Sequence, residues 1–259
     1  MKITIIGGGN MGSAIALGLA SGNMIKASDI TVINRRQSKA DEIKQADNRI
    51  NAVVNNYTSI TGADIIILGV KPWMIEDVLK TYKDQINDNQ MILSVAAGIT
   101  LDQLSTWSNS ASPVYRIMPN TAIAIKQSMT FIASKNAISE QDNLILELFN
   151  ELGKALLIEE KQFSGATSLA SCGIAYAFRY IRAAMEGGVE IGIKADLSKE
   201  IVLQTIRGAV ELLEANQSHP EAEIDKVTTP GGITIKGLNE MEHAGFTSAV
   251  IKGLKASNV

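Results

Sequence analysis

Cysteine and histidine are almost missing from this chain: one cysteine, Cys172, and two histidines in 259 residues. A single cysteine excludes an intramolecular disulfide framework and fits a reducing compartment. So few histidines and cysteines leave no zinc site to build, and the expectation is that there is no metal centre. Positive charge is not in excess either. The formal net charge is −3, so there is no global basic field to hold nucleic acid or an anionic membrane. No apolar run approaches the roughly 18 residues that a membrane span needs. The opening "MKITIIGGGN" has an apolar run too short for a signal peptide and runs straight into glycines. Solenoid-period repeats and low-complexity tracts are absent as well. These absences predict a soluble cytoplasmic protein. Hydrophobic residues make up 46% of the chain, enough for the core of one large domain or two modest ones.

The first part alternates short apolar runs with amphipathic stretches. "KITII" (2–6), "DITVIN" (29–34), "NAVV" (51–54), "ADIIILGV" (63–70), "QMILSV" (90–95), "VYRIM" (114–118), "MTFIA" (129–133) and "ALLIE" (155–159) read as strands. The run at 63–70 is apolar on both faces, as a central parallel strand should be. Helical patterns at 11–22, 73–82, 101–107 and 139–150 lie between them. Such alternation predicts an α/β fold with an N-terminal Rossmann-like, doubly wound sheet. Near residue 160 the pattern turns all-helical, with long helical stretches at 174–193 and 198–216. The predicted domains are 1–160, binding the cofactor, and 161–259, all-α. Ser198 is a plausible N-cap for the second long helix. Gly187, Gly188 and Gly192 fall inside a helical pattern, which points either to close helix–helix contact or to a break.

Six turns carry chemistry. "IIGGGNMG" sets Gly7, Gly9 and Gly12 in G-x-G-x-x-G spacing after a strand, with Asn10 and Met11 opening a helix. Glycines there allow backbone to approach a pyrophosphate, and the helix start offers free N–H groups to it. The second strand ends in Asn34, Arg35 and Arg36, where an NAD-binding turn has an acidic residue. A guanidinium can pair with a 2′-phosphate, so NADPH is expected, with NADH as the weaker alternative. The ordinary alternative is a solvated basic turn. "GVKP" places Val70, Lys71 and Pro72 after the strongest strand, "SVAAGI" places Ala96, Ala97 and Gly98 after the fifth, and "RIMPNTA" places Asn120 after the sixth. Strand ends of this kind are where open α/β sheets hold ligands. In "KVTTPGGIT", Gly231 and Gly232 strip side chains from a helix start, while Thr229 and Thr234 add hydroxyls. Exposed N–H groups at such a start suit a small carboxylate, and a plain capping turn is the alternative.

Together these stretches resemble the Δ1-pyrroline-5-carboxylate reductase family. The resemblance runs end to end and is closest over "HPEAEIDKVTTPGGITIKGLNEMEHAGF" (219–246). It implies an N-terminal Rossmann domain and a helical C-terminal domain that intertwines with a second copy into a homodimer, which in the family often assembles further. It implies that the substrate, a cyclic imino acid, rests its carboxylate on the Thr229–Gly232 loop. Thr234 would hydrogen-bond the ring nitrogen as the residue nearest the chemistry, and Asn56 would touch the cofactor. The chain departs from the family's pattern at Cys172, at Ile174, where proline is usual, and at Ala122, where proline is common. Cys172 falls beside the expected substrate pocket, and a buried, inert thiol is the plainer reading of it. The implied reaction is NADPH-dependent reduction of a C=N bond to give L-proline. The implied site offers no obvious acid or base, and His219 and His243 read as structural. Two other readings remain open: another NADP-dependent reductase of the same architecture, and a cofactor-binding paralogue without turnover. The lysine that a 3-hydroxyacid dehydrogenase places in its interdomain helix is missing here before Lys194.

Overall fold

Eight strands form one sheet in the computed structural model of the chain, which describes residues 1–109 and 111–258. Two compact units divide between Ser171 and Cys172. The first holds β1 (Ile3–Ile6), α1 (Asn10–Ala20), β2 (Ile30–Asn34), α2 (Gln37–Ala46), β3 (Asn51–Val54), β4 (Ile65–Leu68), α3 (Ile75–Tyr82), β5 (Met91–Ser94), α4 (Leu101–Trp107), β6 (Val114–Met118), β7 (Ser128–Lys135), α5 (Ser139–Asn150), β8 (Gly153–Leu157) and the short α6 (Phe163–Ala166). The strand order is β3-β2-β1-β4-β5-β6-β7-β8. Strands β1 to β6 pair in parallel in the 3-2-1-4-5-6 order of a doubly wound sheet. β7 runs antiparallel to β6. Only residues 119–127 join the two, with the 3₁₀ turn Thr121–Ile125 among them, too few for a parallel crossover.

Period-two alternation splits the sheet's side chains between two cores. Ile3, Ile5, Ile65, Ile67 and Leu93 face α1, α2 and α5 through Ile15, Leu19, Ile43 and Phe149. Ile6, Ile66, Leu68 and Ile92 face α3 and α4 through Ile75, Leu79 and Leu104. This is why β4 is buried at all four positions: a central strand with helices on both faces has no polar side.

The second unit holds α7 (Gly173–Glu190), α8 (Ala195–Asn216), α9 (Pro220–Val227), α10 (Ile233–His243) and α11 (Phe246–Ala256). A π-helical turn, Thr167–Cys172, precedes α7. The three glycines of the 174–193 helical pattern differ in their surroundings. A Cβ on Gly188 would lie 2.5 Å from Ser198 Oγ, so Gly188 marks a close α7–α8 contact. Gly192 ends the helix at φ +94 in a Schellman pattern, with Ile193 N–H donating to Gly188 O and Gly192 N–H to Val189 O. Gly187 meets nothing within 4 Å. Ser198 is not the cap of α8. The helix starts earlier, with Lys194 at the cap position, and Ser198 is buried in its first turn against Gly188. Among the described residues of this unit, no hydrophobic side chain is buried. Tyr176, Tyr180, Met241, Phe246 and Val250 instead line an apolar groove of about 580 Å³.

Candidate active site

The glycine turn between β1 and α1 is shaped by three contacts that no side chain could share. Gly7 has φ +106, and a Cβ there would lie 2.8 Å from the backbone of Gly69. Gly69 returns the contact, its own Cβ falling 2.7 Å from Gly7 O. A Cβ on Gly12 would lie 2.0 Å from Gly7 O, so α1 can start where it does only with glycine at this position. Gly9 is different: its Cβ position is open space. It caps α1 with no side-chain hydrogen bond, and no acidic residue sits in the first turn. The first N–H groups of α1 therefore have no side-chain acceptor. Gly8 packs against Asn34, its Cβ position 2.2 Å from Asn34 Oδ1. Asn34 is buried and donates from Nδ2 to Val32 O at 3.3 Å.

These turns line one cleft of about 590 Å³. Gly7, Gly9, Asn10, Met11, Asn34, Arg35, Arg36, Val70, Lys71, Pro72, Ala96 and Ala97 all border it. No Asp or Glu does, among the described residues. Arg35 and Arg36 are exposed, and neither has an ion pair there. Lys39, also on the wall, is paired with Glu42. Lys71 stands at the cap position of a 3₁₀ turn whose first residue is Pro72, as the fixed φ of proline favours. An uncapped helix start, a glycine with open space above it and unpaired guanidinium groups fit a dinucleotide with an extra phosphate.

Four of the expected cofactor residues lie outside the cleft lining. Gly12 is buried behind Gly7. Gly98 is exposed at φ +79. Asn56 Oδ1 accepts from Thr58 N at 3.2 Å and from Thr58 Oγ1 at 2.8 Å, which leaves only its NH₂ free. Asn120 caps the turn after β6, its Oδ1 accepting from Ala122 N at 3.0 Å. Proline at position 122 has no N–H for that bond, so the Ala122 departure ties this asparagine down. Sequence reasoning missed Gly8, Gly69 and Tyr57. Tyr57 borders the cleft and stacks on Tyr82. Burial, with Tyr57 alongside, raises the Tyr82 phenol pKa.

In the second unit, Thr229–Gly232 is a type II turn. Pro230 occupies its second position, Gly231 has φ +71, and Gly232 N–H donates to Thr229 O at 2.9 Å. A Cβ on Gly232 would lie 2.5 Å from Thr229 Oγ1. The turn itself thus demands both glycines. Beyond it, Gly232 caps α10 without a side-chain bond, so the first N–H groups of that helix have no side-chain acceptor. Thr229 and Thr234 are exposed. Cys172 is a half-buried free thiol at the end of the π-helical turn. His219 caps α9, its Nδ1 accepting from Glu221 N at 3.3 Å.

Residues 160–259 match a family model described as pyrroline-5-carboxylate reductase dimerisation. Residues 2–98 match one described as NADP oxidoreductase, coenzyme F420-dependent. Pyrroline-5-carboxylate reductase 2 of Dictyostelium discoideum is 36% identical, with 99% of this chain and 90% of that protein covered. The chain belongs to the pyrroline-5-carboxylate reductase family. Another relative in the family, pyrroline-5-carboxylate reductase 1 of the same organism, is 40% identical, and the chain spans 48% of its length. The solved structure of Plasmodium falciparum pyrroline carboxylate reductase with NADP bound superposes with a TM-score of 0.89 at 29% identity, covering 99% of this chain and 95% of that one. The Rossmann-like α/β fold with a helical C-terminal region is therefore shared across the family. No helix among the described residues is long and apolar enough to cross a membrane.

Proposed function

We propose that this protein reduces the ring C=N bond of Δ1-pyrroline-5-carboxylate with NADPH, giving L-proline. The observation that carries the reading is the cleft: a glycine turn at an uncapped helix start, walled by two unpaired arginines and by no carboxylate. A bound NADPH supplies a hydride to the ring carbon. The N–H groups at the start of α1 would hold its pyrophosphate, and Arg35 and Arg36 its 2′-phosphate, in preference to NADH. Val70, Lys71, Pro72, Ala96 and Ala97 would border the rest of it, with Gly98, Asn56 and Asn120 acting from behind the lining. In the second unit, the N–H groups at the start of α10 and the Thr229 hydroxyl would take the substrate carboxylate. Gly231 and Gly232 shape that turn, and Thr234 Oγ1 would orient the ring nitrogen. With no acid among these groups, the nitrogen takes its proton from solvent or arrives protonated. Cys172 would pack nearby as a small apolar group.

The division of labour follows residue 160: cofactor binding before it, substrate binding and dimerisation after it. A unit with no buried hydrophobic side chain among its described residues needs a cover, which supports a homodimer through α7, α8, α10 and α11. A lone cysteine supports a cytoplasmic setting. The test is NADPH consumption with and without Δ1-pyrroline-5-carboxylate. Substrate-dependent turnover is expected. Thr234→Ala should lower kcat/KM by about 1–3 kcal/mol, or roughly ten- to a hundredfold, with NADPH affinity unchanged. No turnover would make the protein a non-catalytic binder. Full kcat/KM in Thr234→Ala would leave the loop a structural turn.

A further inference from the structure

Tyr57 is the one aromatic side chain bordering the cleft, among the described residues. It shares that wall with Arg35, Arg36 and Val78. One face of its ring is already covered: Tyr82 stacks on it at 4.3 Å between centroids and 16° between planes. Both rings pack on the core under β1, β2 and β4. The backbone on either side of Tyr57 is clamped. Asn55, at φ +48, donates its N–H to Asn34 O at 2.9 Å. Asn56 Oδ1 accepts from both the N–H and the hydroxyl of Thr58. The ring is thus held in place before any ligand arrives; it follows β3, the neighbour of the β2 that the arginines follow, whereas Ala96 and Ala97 follow β5, on the far side of β1 and β4.

We propose that Tyr57, backed by Tyr82, is the platform on which the adenine ring of the dinucleotide stacks. The inference rests on the NADPH reading above. A flat base needs a flat, fixed, apolar surface near the phosphate it carries, and an aromatic face is the side chain that supplies one. Arg35 and Arg36 fix where the 2′-phosphate would lie, and the adenine is one ribose away from it. A second ring behind the first keeps the platform from turning edge-on, so Tyr82 acts as a positioning residue.

Calorimetry on the full chain separates the possibilities, with NADPH, 2′,5′-ADP and reduced nicotinamide mononucleotide as probes. Tyr57→Leu should weaken NADPH and 2′,5′-ADP binding by about tenfold, with the affinity for the mononucleotide, which carries no adenine, as the internal control. Tyr57→Phe should keep wild-type affinity, and Tyr82→Leu should lose a smaller factor for the same two probes. On the unsubstituted protein, the adenine protons of bound 2′,5′-ADP should show nuclear Overhauser contacts to tyrosine ring protons that vanish in Tyr57→Leu. That measurement also covers the case in which a variant folds poorly. Wild-type 2′,5′-ADP affinity in folded Tyr57→Leu, or no tyrosine–adenine contact, overturns the platform. Failure of the wild type to bind NADPH at all overturns the cofactor reading beneath it, a distinct result.

Discussion

Removing both arginines of the β2 turn should erase the preference for NADPH. Arg35 and Arg36 are exposed and have no ion pair among the described residues. Replacing them with alanine therefore breaks nothing internal, and folding should be untouched. A charge-assisted hydrogen bond in a sheltered site is worth about 1.5–3 kcal/mol. An exposed ion pair is worth at most about 1 kcal/mol. These guanidinium groups stand at the cleft's open edge, so the lower figure applies to each. The pair then contributes about 2 kcal/mol, or roughly a thirtyfold change in kcat/KM for NADPH. NADH lacks the phosphate and should change by less than about twofold. The attraction is screened, so wild-type preference should also shrink as ionic strength rises from about 0.05 to 0.5 M, while the double variant shows no such slope. The assay is steady-state turnover with each cofactor at several salt concentrations. A double variant with the wild-type NADPH/NADH ratio refutes the argument, and the basic turn is then only a solvated surface.

Three further outcomes are expected from the geometry. Gly12→Ala places a methyl group 2.0 Å from Gly7 O, so the turn must move; thermal melting should drop by several degrees and NADPH affinity at least tenfold, and wild-type values for both would sink the account. Ala183 lines the apolar groove of the helical unit; Ala183→Trp should fill it and shift the light-scattering mass toward one subunit, whereas an unchanged mass means that the groove is not the contact. Glu223 accepts from Lys226 Nζ at 2.7 Å and from Ser218 and Asn216, which lowers its carboxyl pKa to about 2. A depressed carboxylate stabilises the folded state above its ordinary pKa of 4.5 and loses that effect as pH falls toward 2. Acid melting between pH 4.5 and 2 should thus flatten in Glu223→Gln, and identical acid curves would show that the cluster contributes nothing.

The sheet was readable because its physics is local. Most strands are short runs rich in β-branched residues, so even the four-residue β3 falls where "NAVV" stands. The long helices of the second unit were readable from period alone, but their ends were not. A buried serine in a first turn looks, in sequence, like a cap, and only the contact with Gly188 gives Ser198 its place. The Thr-Pro-Gly-Gly stretch shows a different limit. Its glycines read as room made for a carboxylate, yet the type II turn needs Gly231 for its positive φ and Thr229 leaves no room for a Cβ on Gly232, with no ligand involved. Tyr57 was invisible because nothing in "NNYTS" says that its ring meets Tyr82, 25 positions later. Asn120 lies outside the cleft lining, its Oδ1 occupied by the Ala122 N–H, a backbone partner that no side-chain pattern reveals.

That no hydrophobic side chain is buried among the described residues of the helical unit has a consequence for how the chain lives. In the homodimer proposed above, folding of that half and pairing of two chains are one event, governed by mass action. Its melting temperature should climb with protein concentration, where an ordinary single-chain domain shows a constant value. A newly made chain would finish its sheet first and then wait, its helices open to proteases and to wrong partners, until a second copy arrives. Gene dosage would act on such a protein more steeply than in proportion, because halving the number of chains quarters the rate at which they meet.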